Sequence, residues 1–340
     1  MKCPKCNTVL QIETRNGKEI RTCNNCEYLE VIKIEEEDNK KDIDETYKQY
    51  DLFGNITEVK KVKTSKDSLK IYPLSVFDSK QGKWLQRKKD WKKMFKFDYE
   101  GRKTGITYAG KVGTMINEGI SVFDPVLCEL SYKWFCPKNG KILDPFAGGA
   151  VRGIVAEHLG FKYTGIDLSE KQIGINNKKA EILKLKPKWI VGNSLDINKL
   201  VKDNDFDFFY TCPPYYNLEH YTEDSKDLSN YTSYNNFLKE YKTIIHTSLS
   251  KLKNNRFAGI VVGNFRDNDG FVHDFAGDTT RMFEEANFKL YNDCIYLQAI
   301  GTAYIRSKSG FKYRKIMKIH QHLLIYYKGI TSDIPNVMNK

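Results

Sequence analysis

Short apolar runs alternate with longer amphipathic stretches from about residue 71 onward. The runs 141–144, 163–167, 189–192, 206–210, 258–262 and 323–327 have the length and branched or aromatic content of buried strands. Between them, 150–159, 169–185, 234–253 and 273–287 carry apolar residues at helical spacing. Strands separated by helices at this rhythm predict βαβ units and a doubly wound, mostly parallel α/β sheet of Rossmann type. Ligands of such sheets sit beyond the carboxyl ends of the strands, near the point where strand order reverses.

The first 70 residues read differently. Cys3-Pro4-Lys5-Cys6 and Cys23-Asn24-Asn25-Cys26 form a C-x2-C-x16-C-x2-C array. Four thiolates at that spacing close a tetrahedron around a structural Zn2+, with a strand pair around Asn16-Gly17 returning the second pair to the first. Residues 1–32 are therefore expected to be a zinc ribbon, with redox dithiols as the alternative. Residues 33–46 hold seven acids against three lysines, the composition of a solvated linker that we extend to residue 70. Within it, Gln49-Tyr50-Asp51-Leu52-Phe53 resembles the short peptide with which bacterial replication proteins dock on the sliding clamp. The expected division is a ribbon at 1–32, a linker at 33–70, a domain at 71–330 opening with a basic and aromatic extension at 71–118, and a tail at 331–340.

Composition narrows the function classes. The 340 residues contain 55 Lys and Arg against 43 Asp and Glu, a formal charge of +12 that favours polyanionic partners. Four of the eight cysteines lie in the first 26 residues and the rest are scattered, unlike a secreted disulfide framework. No apolar run approaches a membrane span. These features predict a cytoplasmic protein with no membrane partner.

The strand ends carry the candidate chemistry. Asp144-Pro145-Phe146-Ala147-Gly148-Gly149 follows the first strand, its glycines allowing close backbone approach to a ligand. The dinucleotide fingerprint G-x-G-x-x-G is absent. A carboxylate at Asp144 suits a ligand bearing an ammonium group. Asp167, followed by Leu168, ends the second strand, where a carboxylate accepts both hydroxyls of a ribose. Ser194 and Asp196 end the third, placed to receive an adenine amine. Each Asp alone is also explained as a helix N-cap. Taken in order, an amino-acid end, a ribose and an adenine describe S-adenosylmethionine.

At the fourth strand end stands Thr211-Cys212-Pro213-Pro214-Tyr215-Tyr216. Here residues 119–330 resemble the amino-group (adenine-N6 or cytosine-N4) DNA methyltransferases, whose motif is Asp, Asn or Ser followed by Pro-Pro and an aromatic. Phe123-Asp124-Pro125 resembles the segment before the cofactor loop, and the set looks like the DNA methylases carried by phages and prophages. The resemblance implies that S-adenosylmethionine methylates the exocyclic amine of a flipped base in double-stranded DNA, adenine before cytosine, in a bacterial or phage-infected cell. It also implies that Phe123 borders the cofactor, that Pro213 and Cys212 accept the amine hydrogens, and that Pro214 and Tyr215 present a stacking face. Cys212 departs from the family pattern, since a neutral thiol is a weak acceptor. Its thiolate, or a nearby carboxylate such as Glu219 or Asp224, would have to serve. The alternatives are a structural thiol or the covalent nucleophile of carbon-5 cytosine enzymes, and those place Cys after the proline. RNA amino-group methylation and a catalytically silent nucleic-acid-binding protein also fit the chain.

Only fifteen residues separate Asp196 from Cys212, so base reading must come from the edges of the domain. Residues 80–103 hold ten basic side chains, among them Arg87, Lys88 and Lys92, interleaved with aromatics. Residues 303–318 hold six, including Arg306, Lys308 and Arg314, and no acid. Both are candidate nucleic-acid contacts. For 80–103 the competing reading is an amphipathic helix over the core, because Trp84 and Trp91 lie seven apart.

Overall fold

In the computed structural model, residues 6, 11–15, 18–22, 26, 29–33, 47–50, 56–59, 71–80, 82–95, 122–216, 226–298 and 303–339 are described. The chain divides into two units, 1–68 and 69–340.

In the first unit, strands β1 (Gln11–Arg15), β2 (Lys18–Thr22) and β3 (Leu29–Lys33) form an antiparallel sheet in that order. Arg15 pairs with Lys18, and Asn16 and Gly17 lie outside the described residues. β3 runs one residue past the expected ribbon boundary. A second hairpin, β4 (Tyr47–Tyr50) and β5 (Ile56–Val59), stands where the sequence reads as linker. Of the clamp-like peptide, Gln49 and Tyr50 pair with Thr57 and Ile56, while 51–53 lie outside the described residues.

The second unit opens with β6 (Val76–Asp78), α1 (Gly82–Phe95) and α2 (Pro125–Phe135). The alternation then runs β7 (Lys141–Asp144), α3 (Val151–His158), β8 (Lys162–Asp167), α4 (Glu170–Ile182), β9 (Lys188–Val191), α5 (Ile197–Leu200) and β10 (Phe206–Thr211). It continues with α6 (Tyr234–Leu249), β11 (Leu252–Val262), the short hairpin β12 (Phe265–Arg266) and β13 (Val272–His273), and α7 (Phe275–Glu285). β14 (Lys289–Leu297), α8 (Ala303–Phe311), β15 (His320–Lys328) and α9 (Ile334–Met338) complete it. The main sheet has the order β6-β14-β15-β11-β10-β7-β8-β9. Within it β15 is antiparallel to both neighbours and every other pairing is parallel. Order reverses at β7 and β10, which are adjacent. Among the described residues no helix is long and apolar enough to cross a membrane.

The two faces of β10 show how this sequence builds the sheet. Successive side chains point to opposite faces, and all six residues of β10 are buried. Phe208 meets Tyr132 of α2 edge to face, and Phe209 meets Phe283 of α7 on the other side. A strand covered twice is mostly apolar, and its two buried polar side chains are paired, Asp207 with Lys253 and Arg256 and Thr211 with Asp144. Each Phe ring contributes roughly 1.5–3 kcal/mol by leaving water.

Helix α1 takes the core-covering reading of residues 80–103. Trp84, Trp91 and Phe95 are buried. Glu129 of α2 is fully buried and receives Arg87 at 2.8 and 3.1 Å, the Trp91 indole at 2.6 Å and Lys133 at 3.0 Å. Asp124, the N-cap of α2, receives Lys88 at 2.8 Å, the Trp84 indole at 3.2 Å and the Tyr296 hydroxyl at 2.8 Å. Arg87 and Lys88 thus compensate buried carboxylates that would otherwise be unpaired. Lys92 stays exposed.

Candidate active site at the carboxyl ends of the sheet

The parallel pairings bring the loops after β7, β8, β9, β10 and β11 to one edge of the sheet. Asp144 lies at the end of β7 and is fully buried. Its carboxylate accepts from Arg152 Nε at 2.6 Å, Tyr163 Oη at 2.6 Å, Thr211 Oγ1 at 2.6 Å and the Phe146 amide at 3.1 Å. These four bonds make Asp144 part of the framework that builds the loop. Arg152 extends that work by donating to the carbonyls of Phe146 and Ala147, the latter at 3.1 Å. Burial pulls the Arg152 guanidinium down, but Asp144, Tyr163 and Cys212 together push it well above its ordinary value and keep the side chain protonated. Burial, followed by the Asp144 charge, pushes the Tyr163 hydroxyl well above its ordinary value and keeps it a donor.

The loop these groups hold is shaped for a ligand. Gly148 sits at φ 52°, in the left-handed region that favours glycine. Its amide donates to Asp167 at 2.8 Å, and its carbonyl accepts from the buried Asn176 amide at 2.8 Å. Ala147 donates to the Ile166 carbonyl at 2.9 Å. Pro145 and Ala147 are buried, while Phe146, Gly148 and Gly149 are half-buried. At the end of β8, Asp167 also accepts from the amide of Ser169 at 2.9 Å, and Ser169 is the N-cap of α4. Asp167 and Leu168 remain half-exposed at the loop edge. Ser194 is buried and donates to the Pro145 carbonyl at 2.5 Å, tying the third strand end to the first. Asp196 is exposed and paired with Lys199 at 2.8 Å.

Thr211 brings the loop after β10 against the loop after β7 through its bond to Asp144. Cys212 and Tyr215 are half-buried, and Pro213 between them is buried. Tyr215 meets Phe265 and Phe275 edge to face, and its hydroxyl accepts from Gln321 Nε2 of β15 at 2.6 Å. Tyr216 turns away, donating to the Thr232 carbonyl at 2.7 Å. Phe123 closes the opposite side, edge-on to Tyr210 with the Arg152 guanidinium 4.8 Å from its ring centre. Asn264 joins Asp274 in capping α7, accepting from the Ala276 amide at 2.8 Å.

Four residues of this arrangement escaped the sequence reading: Arg152, Tyr163, Asn176 and Gln321. Arg152 and Asn176 sit on helical faces, where a polar side chain ordinarily means solvent. Only the fold turns those faces inward. Glu219 and Asp224 lie outside the described residues, as do Cys3 and Cys23. Among the described residues no cluster of three or more His, Cys, Asp or Glu is placed to hold a metal.

The strand order, with one reversed strand inserted beside β11, and the glycine loop at the switch point define the Rossmann-like fold of the class I S-adenosylmethionine-dependent methyltransferases. No protein-family model matches the chain, and no curated protein matches it. Structural neighbours include a methyltransferase from Pyrococcus furiosus, at 14% identity over 72% of this chain and 96% of that one, with a TM-score of 0.44. An rRNA methylase from Streptococcus thermophilus aligns at 11% identity over 62% of this chain and all of that one, with a TM-score of 0.40. TrmN from Thermus thermophilus aligns at 13% identity over 61% of this chain, with a TM-score of 0.40. The alignment spans about half of TrmN's own length, 49%.

Proposed function

We propose that the protein transfers a methyl group from S-adenosylmethionine to the exocyclic amine of a nucleobase in DNA, adenine before cytosine. The observation that carries this reading is the contact between two loops. The Asp144–Gly149 loop and the Cys212–Tyr215 loop leave adjacent strands at the switch point, joined by Thr211 and Asp144 at 2.6 Å. A cofactor on the first loop is next to whatever the second one holds.

S-adenosylmethionine would supply an electrophilic methyl on a sulfonium. Phe123, the Gly148–Gly149 backbone and Asp167 are the groups that would hold it. An exocyclic amine is a poor nucleophile because its lone pair is delocalised into the ring. The Pro213 carbonyl and Cys212 accept its hydrogens and localise that pair, while the Tyr215 ring packs against the base. The Gln321 bond and the edge contacts with Phe265 and Phe275 fix the Tyr215 ring in advance.

Incubation with unmethylated DNA or RNA and methyl-labelled cofactor, followed by digestion to nucleosides and mass spectrometry, tests the reading. Labelled 6-methyladenine or 4-methylcytosine from DNA supports it. Label on RNA alone moves the substrate, and no label on either overturns catalysis.

We assign Zn2+ to the amino-terminal cysteines as a structural ion. Supporting this, the β1–β2 register sets Gln11 across from Thr22, so the chain enters and leaves the hairpin side by side, with Cys6 and Cys26 half-buried in flanking turns. Elemental analysis should find one zinc per chain, lost in Cys6→Ser/Cys26→Ser. We also assign residues 49–53 to the sliding clamp. Their deletion should abolish clamp association in a pull-down and leave methylation of short duplexes intact.

A further inference from the structure

Between β14 and β15 the chain leaves the carboxyl-end edge of the sheet and folds back on itself. Helix α8 starts at the buried Ala303. After it, the amides of Tyr313 and Lys315 both donate to the Gly310 carbonyl at 3.0 Å, and Arg314 turns the chain at φ 56°. A Cβ on Gly310 would lie 2.5 Å from the Met317 methyl, so the return arm packs directly on the helix. The arm is then tied to the site: Lys318 Nζ donates to the Asn264 carbonyl at 3.3 Å, and Gln321, three residues on, holds the Tyr215 hydroxyl.

The outer surface of this element leaves several large apolar side chains in water. Tyr304, Ile305, Phe311, Tyr313 and Ile316 are each between 56% and 78% exposed. Contiguous apolar groups left in water mark an interaction surface. Residues 303–318 contain six cations and no acid, which makes the partner an anion. Lys308 lies 5.9 Å from the Tyr304 ring centre, Lys312 5.8 Å from Tyr313 and Arg314 4.9 Å from Phe311. A helix made for a lipid surface separates its basic face from its apolar one. Here cations lie on the rings, as suits a partner that presents phosphates and flat bases within a few ångströms of each other. Ile305 and Ile316 carry no such cation and are the most exposed of the set, at 72% and 78%.

From this placement we infer that residues 303–318 dock on double-stranded DNA next to the target base, with Arg306, Lys308 and Arg314 on phosphates and Ile305 and Ile316 entering the base stack. Aliphatic wedges of this kind unstack a base step and ease extrusion of a neighbouring nucleotide. The inference rests on the nucleobase-methylation reading and names the element that holds its polymer.

The full-length protein, titrated into a fluorescent 30-base-pair duplex at several salt concentrations, tests it. Arg306→Gln/Lys308→Gln/Arg314→Gln should flatten the slope of log affinity against log salt by about 2–3, at roughly 0.9 per phosphate contact. Ile305→Ser/Ile316→Ser should weaken binding roughly 10-fold with the slope unchanged, as expected for a lost apolar contact. Both variants should bind S-adenosylhomocysteine as the parent does, which controls for folding. Duplex affinities equal to the parent's in both variants overturn the inference. So does a parent that prefers an RNA hairpin, or vesicles of phosphatidylglycerol and phosphatidylcholine, to the duplex. Labelled nucleoside with neutral variants removes the docking element and leaves the methylation reading. Variant-sensitive duplex binding without labelled nucleoside keeps the docking and removes methylation.

Discussion

In the proposed reaction, Cys212 is the side-chain acceptor for the amine's hydrogens beside the Pro213 carbonyl. Losing a hydrogen bond of about 1.5–3 kcal/mol in the transition state slows a reaction by about 10- to 100-fold. Cys212→Ala should therefore lower kcat by that factor and leave the dissociation constant for S-adenosylmethionine unchanged, measured by single-turnover labelling and calorimetry. An unchanged kcat would make the thiol structural. Asp144 is the opposite case, a carboxylate whose work is within the protein. Asp144→Ala leaves Arg152 charged and buried without its partner, which should cost about 3–5 kcal/mol in urea unfolding. A variant that unfolds like the parent but binds cofactor poorly would assign the ligand role to Asp144.

Elements show how such residues are held. Helix α2 carries Glu129, whose carboxyl is pushed up by burial but held below the usual carboxylate range by hydrogen bonds from Arg87, Lys133 and Trp91. A carboxylate with a lowered folded pKa adds stability above its unfolded value, about 4.3, and loses it as pH falls through the folded one. Unfolding midpoints should therefore drop on acidification below about pH 4, and Glu129→Gln should remove part of that slope. In the loop before α3, Gly148→Ala forces a side chain into the left-handed region at φ 52°. About 1–2 kcal/mol of strain should appear as weaker cofactor binding by calorimetry. The same periodicities that revealed β7 to β11 hid β14, because Asn292 and Asp293 interrupt its apolar run at a register shift. Its neighbour β6, three residues long, leaves too short a pattern to read.

Across the whole molecule the charge of +12 is unevenly used. Arg87 and Lys88 lie against buried acids, whereas Arg306, Lys308, Lys312 and Arg314 of α8 and its return arm are exposed. Total charge alone did not separate these uses. If polyanion binding runs through α8, Lys89→Gln/Lys92→Gln on the exposed side of α1 should change the duplex salt slope far less than the α8 triple variant.

The sequence by itself determined the α/β class, most strands of the parallel sheet and the order in which Asp144, Asp167, Ser194 and Cys212 meet its edge. Those features follow from local periodicity and from residues that sit at strand ends, where fold and chemistry are adjacent in the chain. Tertiary structure alone decided what each carboxylate and cation touches. The donors to Asp144 come from positions 146, 152, 163 and 211, and Tyr215 is held from position 321. An Asp at a strand end has the same local signature whether it faces a ligand or a buried arginine. Only packing, which brings distant segments within hydrogen-bond reach, separates the two.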